Sequence, residues 1–236
     1  MNNWIIRESE HYKFHYHNNS IAGNMIDEII EEQEYCFNHI SKVLSIDFTM
    51  KINYYLCDSR EEVGFLYGDN DPCNAFARKP NDIFAVFNEE IKCIGYHEDS
   101  HILSYSIGTP QQVFIREGLA MYFDKHHWGI SNSNWVSYYI HNDKYINISK
   151  LTSNEEFYNN PWNITYPIAG AFTDYLITTY GIDKYIEFYK ILDTNFNEDF
   201  YNVFGIDINE FETNFIRYIK SLKTNKDLFI LLERLM

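Results

Sequence analysis

Apolar and polar residues alternate along Tyr12-Lys13-Phe14-His15-Tyr16, the period of a strand, and Lys51-Ile52-Asn53-Tyr54-Tyr55-Leu56 reads as a second strand. A long helix is expected between them, over about 20–45. Asp58-Ser59-Arg60-Glu61-Glu62 looks like a helix start, with the helix covering about 59–67. Two further strands fall near 74–78 and 82–87, joined by the turn Lys79-Pro80-Asn81-Asp82. Beyond them the chain is mostly helical. From Phe200 to Leu222, apolar residues recur at helical spacing around Phe204, Ile208, Phe211, Phe215 and Ile219, which marks core packing rather than a cofactor box. The tail Asp227-Leu228-Phe229-Ile230-Leu231-Leu232 is another amphipathic helix, able to dock on the body or on a second subunit. The order predicts an α+β fold in which a small amino-terminal sheet with helices (lobe 1–108) precedes an all-helical lobe (109–236) within one unit.

Where the pattern changes from strand to helix lies His97-Glu98-Asp99-Ser100-His101. Two histidines four apart on a helix sit one turn above each other, about 40° apart around the axis, so both imidazoles can reach one ion. Glu98 falls on the flank of that face, placed to hold a water rather than to ligate. Upstream, Glu89-Glu90 suits a helix start, where negative charge is favoured, and the helix should run on through Ile102-Leu103-Ser104-Tyr105. Gly108-Thr109-Pro110 stops it, and Pro110 is expected to open a second helix over about Gln111 to Trp128. That helix holds Arg116-Glu117-Gly118-Leu119-Ala120-Met121-Tyr122. Packed antiparallel after a tight turn, it would bring Glu117 beside His97 and His101, giving two imidazoles and a carboxylate with a fourth position open. A third histidine six residues after the second is missing: position 107 is Ile107, and Ser104 replaces the glycine such a turn needs, which excludes a metzincin. Asp99 lies about 200° round the helix from His97, and a carboxylate buried there would need a partner or a proton. Gly95 is expected to weaken the helix by about 1 kcal/mol relative to alanine.

HEDSH followed by REGLAMYF resembles the gluzincin zinc metallopeptidases, in the branch called peptidase MA-like. The likeness extends over nearly all of the chain, through the strands above to Tyr166-Pro167-Ile168-Ala169-Gly170-Ala171-Phe172 and Tyr180-Gly181-Ile182-Asp183-Lys184, although only the HExxH and EGxAxY parts are specific. The resemblance implies a zincin-like fold with the active-site helix at the junction of the two lobes. It also implies one zinc ion per chain, held by His97, His101 and Glu117, and hydrolysis of peptide bonds by a metal-activated water with Glu98 as general base. Such enzymes often stabilise the oxyanion with a tyrosine or histidine from the helical lobe, for which Tyr166 is the candidate. They commonly hold substrate backbone on an edge strand, here Asn74-Ala75-Phe76-Ala77, followed by basic Arg78 and Lys79. No Gly-x-Met-Glu-Asn motif marks an aminopeptidase anchor.

Plainer readings stand beside these. The pentad could be the polar face of a surface helix, Glu117 a surface glutamate paired with Arg116, and Tyr166 a packed residue with its hydroxyl bonded. His126-His127 reads as a cationic cluster near a helix C-terminus rather than a further ligand pair. An inactive zincin-like peptide- or protein-binding protein is the alternative function, and hydrolysis of a non-peptide amide a third.

The formal charge of −15 argues against nucleic acid as a partner, and the resemblance implies a peptide or protein substrate. No apolar run approaches a membrane span, and Met1-Asn2-Asn3-Trp4-Ile5-Ile6-Arg7 lacks the features of a signal peptide, so a cytoplasmic location is expected. Cys36, Cys57, Cys73 and Cys93 form no CxxC pair and are expected to be reduced, mostly buried thiols.

Overall fold

A computed structural model describes residues 4–223 and 226–235. The chain divides into two compact units, Met1–Ser106 and Ile107–Met236. Met1 to Asn3, the start of the stretch read for a leader, lie outside the described residues. The architecture is mixed α+β, a small sheet followed by many helices.

The first unit contains β1 (Ile5–Glu8), β2 (Tyr12–Tyr16), α1 (Ile21–Asn24), α2 (Ile26–Leu44), β3 (Ile52–Cys57), α3 (Arg60–Tyr67), β4 (Ala75–Arg78), β5 (Asp82–Val86) and α4 (Tyr96–Ser104). Its five strands lie in the order β1-β2-β3-β5-β4. The central three are parallel, and both edge strands run antiparallel to their neighbours. Register puts Tyr12 beside Ile52, Phe14 beside Tyr54 and Tyr54 beside Ile83, so these side chains share one face and are fully buried there. Helix α2 meets that face through Phe37, whose ring lies edge-on to Tyr12, and α4 packs on α2. On the opposite face Val63 of α3 packs with Cys57, Phe84 and Val86. Ser59 caps α3 by accepting from the Glu62 amide at 3.2 Å, as the sequence anticipates.

Several boundaries differ from the expectation, each for a local reason. The helix of 20–45 is interrupted at Met25, so that α1 and α2 are separate. Strand β1 escaped the periodicity because Ile5 and Ile6 are consecutive and both exposed, on a sheet edge. Glu89-Glu90 do not start the pentad helix. The Asn88 side chain accepts from the amides of Glu90 and Ile91, at 3.0 and 2.8 Å, and turns the chain so that Lys92 bridges back to Phe87. Helix α4 begins at Tyr96, with Gly95 as its N-cap residue. Gly95 takes φ +108°, ψ −147°, a region that favours glycine. It is therefore not an interior residue and does not carry the expected helix penalty; a side chain there would be the costly choice.

The second unit holds α5 (Val113–Asp124), β6 (His126–His127), β7 (Ile130–Ser131), α6 (Asn132–His141), α7 (Ile148–Leu151), α8 (Asn154–Asn159), α9 (Trp162–Tyr180), α10 (Ile182–Ile191), α11 (Phe196–Phe204), α12 (Ile208–Ser221) and α13 (Lys226–Leu235). Pro110 does not open α5. Asn154 Oδ1 accepts from the Val113 amide at 2.8 Å, while the Arg116 guanidinium donates to the carbonyls of Pro110 and Gln111 and ties down the preceding turn. Nor does α5 reach Trp128. Lys125 adopts a left-handed conformation, φ +62°, and ends it. His126-His127 then form a strand of a small hairpin whose loop, Trp128-Gly129, has positive φ at both residues. The histidine pair directly follows the C-cap of α5 but lies in a strand: His126 is exposed and His127 buried beneath Trp135, which donates to its carbonyl. Gly205, φ +69°, and the Asp207 cap divide the apolar stripe of 200–222 between α11 and α12. The tail helix α13 docks on the body, with Phe229 against Tyr138 and His141 of α6.

Helices α5 and α9 cross closely at two glycines. A Cβ on Gly118 would stand 2.5 Å from Thr173 Oγ1 and 3.0 Å from the Ala169 carbonyl; one on Gly170 would meet Met121 Cβ at 2.7 Å. Pro167 inside α9 removes the amide that would bond the Asn163 carbonyl, and the Tyr139 hydroxyl donates to that oxygen instead, at 2.5 Å. Gly118→Ala is expected to cost about 1–3 kcal/mol through overpacking, read from the urea midpoint at unchanged slope. A midpoint equal to wild type would mean the crossing has slack.

Candidate metal centre

Helix α4 carries the pentad in its first turns, with His97, Glu98 and His101 half-buried and Asp99 and Ser100 buried. The two imidazoles lie on one face, ring centroids 5.2 Å apart and nearly perpendicular. Glu117 lies in the second turn of α5 and is also half-buried. His97, His101 and Glu117 each offer one donor atom, and these atoms all lie within 4.8 Å of one another. Two imidazole nitrogens and a carboxylate oxygen are a donor set that could hold a divalent cation.

Asp99 sits on the opposite side of α4, where the sequence puts it, and is 0% exposed. Its Oδ2 accepts from Gln33 Nε2 at 3.0 Å and shares a short hydrogen bond with the Tyr12 hydroxyl. Burial pushes its carboxyl well above the usual carboxylate range, overriding the opposing effect of the Tyr12 hydrogen bond. The Tyr12 hydroxyl also lies 3.1 Å from the Gln33 carbonyl oxygen. With one proton to give, it satisfies both contacts when Asp99 keeps a proton of its own. Asp99 thus finds partners for Oδ2, while its buried Oδ1 has none. The Cys93 thiol, ahead of α4, is pushed up to about 11 by burial and then by Glu98. None of the four cysteines is disulfide-bonded.

The remaining candidates are distributed as follows. Asn74, exposed, precedes β4, and Ala75 and Phe76 open it; β4 is an edge of the sheet and borders α4. Tyr166 lies on α9, half-buried, its ring 5.5 Å from Phe157. Gln33 was not anticipated. Its signal is a glutamine inside the apolar stripe Ile29, Cys36, Phe37, Ile40 of α2, at a position fully buried. No described helix is long and apolar enough to cross a membrane. No family model matches the chain, and a search of curated proteins finds no relative.

The raised carboxyl of Asp99 gives stability a definite sign with pH. The native state holds this proton more tightly than the unfolded chain, whose aspartates titrate near about 3.9. The stability is full below that value and is lost as pH rises toward the native value, with a slope of up to about 1.4 kcal/mol per pH unit. Asp99→Asn, which keeps the shape without a titrating proton, is expected to flatten this slope in urea unfolding between pH 4 and 8. Parallel curves for the two proteins would show that Asp99 is ionised in the fold.

Proposed function

We propose that this chain is a zinc-dependent metallopeptidase of the gluzincin type, with a zincin-like fold, acting on a peptide or protein substrate. The observation that carries the reading is the gathering of His97, His101 and Glu117 donor atoms within 4.8 Å of one another. Donors around a tetrahedral zinc with bonds of about 2.1 Å lie about 3.4 Å apart, so small side-chain rotations close this set around one ion. Zinc held there supplies a Lewis acid for the scissile carbonyl and lowers the pKa of a water towards about 7.

The chain's own groups do the rest. Glu98, next to His97 and on the flank of the same helix face, takes the water proton during attack and passes it to the leaving amine. Tyr166, from α9, donates its hydroxyl to the developing oxyanion. Asn74, Ala75 and Phe76 lend the free side of the β4 edge to the substrate backbone, which adds as a further strand. Gly95 is the cap that begins α4, and Asp99 Oδ2 is held by Tyr12 and Gln33, on the side of α4 away from His97.

Glu98→Gln removes the base and leaves the three donors. It is expected to retain zinc while turnover of a mixed peptide library falls by about 10²–10⁴. Wild-type hydrolysis should stop with a zinc chelator and return with added zinc. Undiminished cleavage by Glu98→Gln would end this mechanism, whatever the metal content.

A further inference from the structure

Gln33 is a polar residue in the middle of an apolar helix face, 0% exposed. Its amide is used at both ends. Oε1 accepts from the Gly95 amide at 2.5 Å, and Nε2 donates to the Gly95 carbonyl at 3.2 Å and to Asp99 Oδ2 at 3.0 Å. A leucine would fill the stripe without these bonds, and a glutamate would lack the donor. The residues Gln33 holds are the cap of α4 and a member of its first turn, and they bracket His97 and Glu98. Gly95 has no side chain to cap the helix, so the direction in which α4 leaves the loop is set from outside, by Gln33. Tyr12, from the sheet, meets the same Asp99 oxygen and ties α4 to β2.

We propose that Gln33 is a positioning residue for the metal centre: by gripping Gly95 and Asp99 it fixes the turn of α4 that presents His97 and Glu98, with Tyr12 as its second anchor. It touches neither the reacting atoms nor the donor atoms and acts through the backbone that carries them. The inference rests on the metallopeptidase reading and adds to it a residue 64 positions before the first ligand, on a different element.

The test uses the full chain, as wild type, Gln33→Met and Tyr12→Phe. Zinc affinity is measured by competition with a chromophoric chelator, and coordination geometry by the visible spectrum of the cobalt-substituted protein. Folding is checked by circular dichroism. Gln33→Met is expected to bind zinc about ten- to a hundredfold more weakly, as losses outside the ligand set usually do, and to change the cobalt bands. Tyr12→Phe should shift both in the same direction by less. A Gln33 that only stabilised the fold would lower the melting temperature and leave the cobalt spectrum alone. Wild-type affinity and spectrum in folded Gln33→Met overturn the proposal, or in Tyr12→Phe if Gln33→Met does not fold. Wild type that binds no zinc would instead withdraw the metallopeptidase reading, and this inference with it.

Discussion

Gly95 stands at φ +108°, ψ −147°, and the Gln33 side chain bonds both its N–H and its C=O. Everything downstream in α4 follows from that junction. The helix is nine residues long and has no side-chain cap of its own. One turn on, Asp99 is held between Gln33 and Tyr12 in a fully buried pocket of the first unit. A carboxyl in such a place is tolerated because it keeps its proton and because Oδ2 is doubly engaged. The opposite side of the helix carries His97 and His101, with Glu98 on its flank.

The helix carrying Glu117 is set by a different kind of contact. Gly118, the next residue, lets α9 approach until the Ala169 carbonyl and Thr173 hydroxyl fill the space of a side chain. The direction of α5 is thus a matter of close packing, whereas that of α4 is a matter of hydrogen bonds. Each element offers its donor residues half-buried, a compromise that leaves imidazole and carboxylate partly hydrated while shaping their surroundings. The motif REGLAMYF thus sets a candidate metal donor, Glu117, next to the glycine of the helix crossing, Gly118.

Much of this was legible in the sequence because it depends on local rules. Alternation located β2, Ser59 marked α3, and the 97/101 spacing put two imidazoles on one face. Counting 100° per residue puts Asp99 on the side of α4 away from His97, and that side is buried. What failed was decided partly by local turns that override a helix signal and partly by partners distant in sequence. Glu89-Glu90 obey a helix-start rule, but the Asn88 side chain accepts from the amides of Glu90 and Ile91 first. Pro110 fits a first helical position, yet the α5 amide at Val113 is met by Asn154, far down the chain. Trp128-Gly129 is not a dipeptide that announces a hairpin, and only the left-handed Lys125 reveals that α5 has ended. Gln33 could have been noticed as a polar intruder in an apolar stripe; its role could not, because the group it serves lies 62 residues away.

The proposed function depends on His97, His101 and Glu117 holding one zinc ion. The decisive measurement is elemental analysis of the untagged wild-type chain beside Glu117→Ala. About one zinc per wild-type chain is expected, with most of it lost in the variant. Wild type without metal after reconstitution at neutral pH, or equal zinc in both proteins, would contradict it.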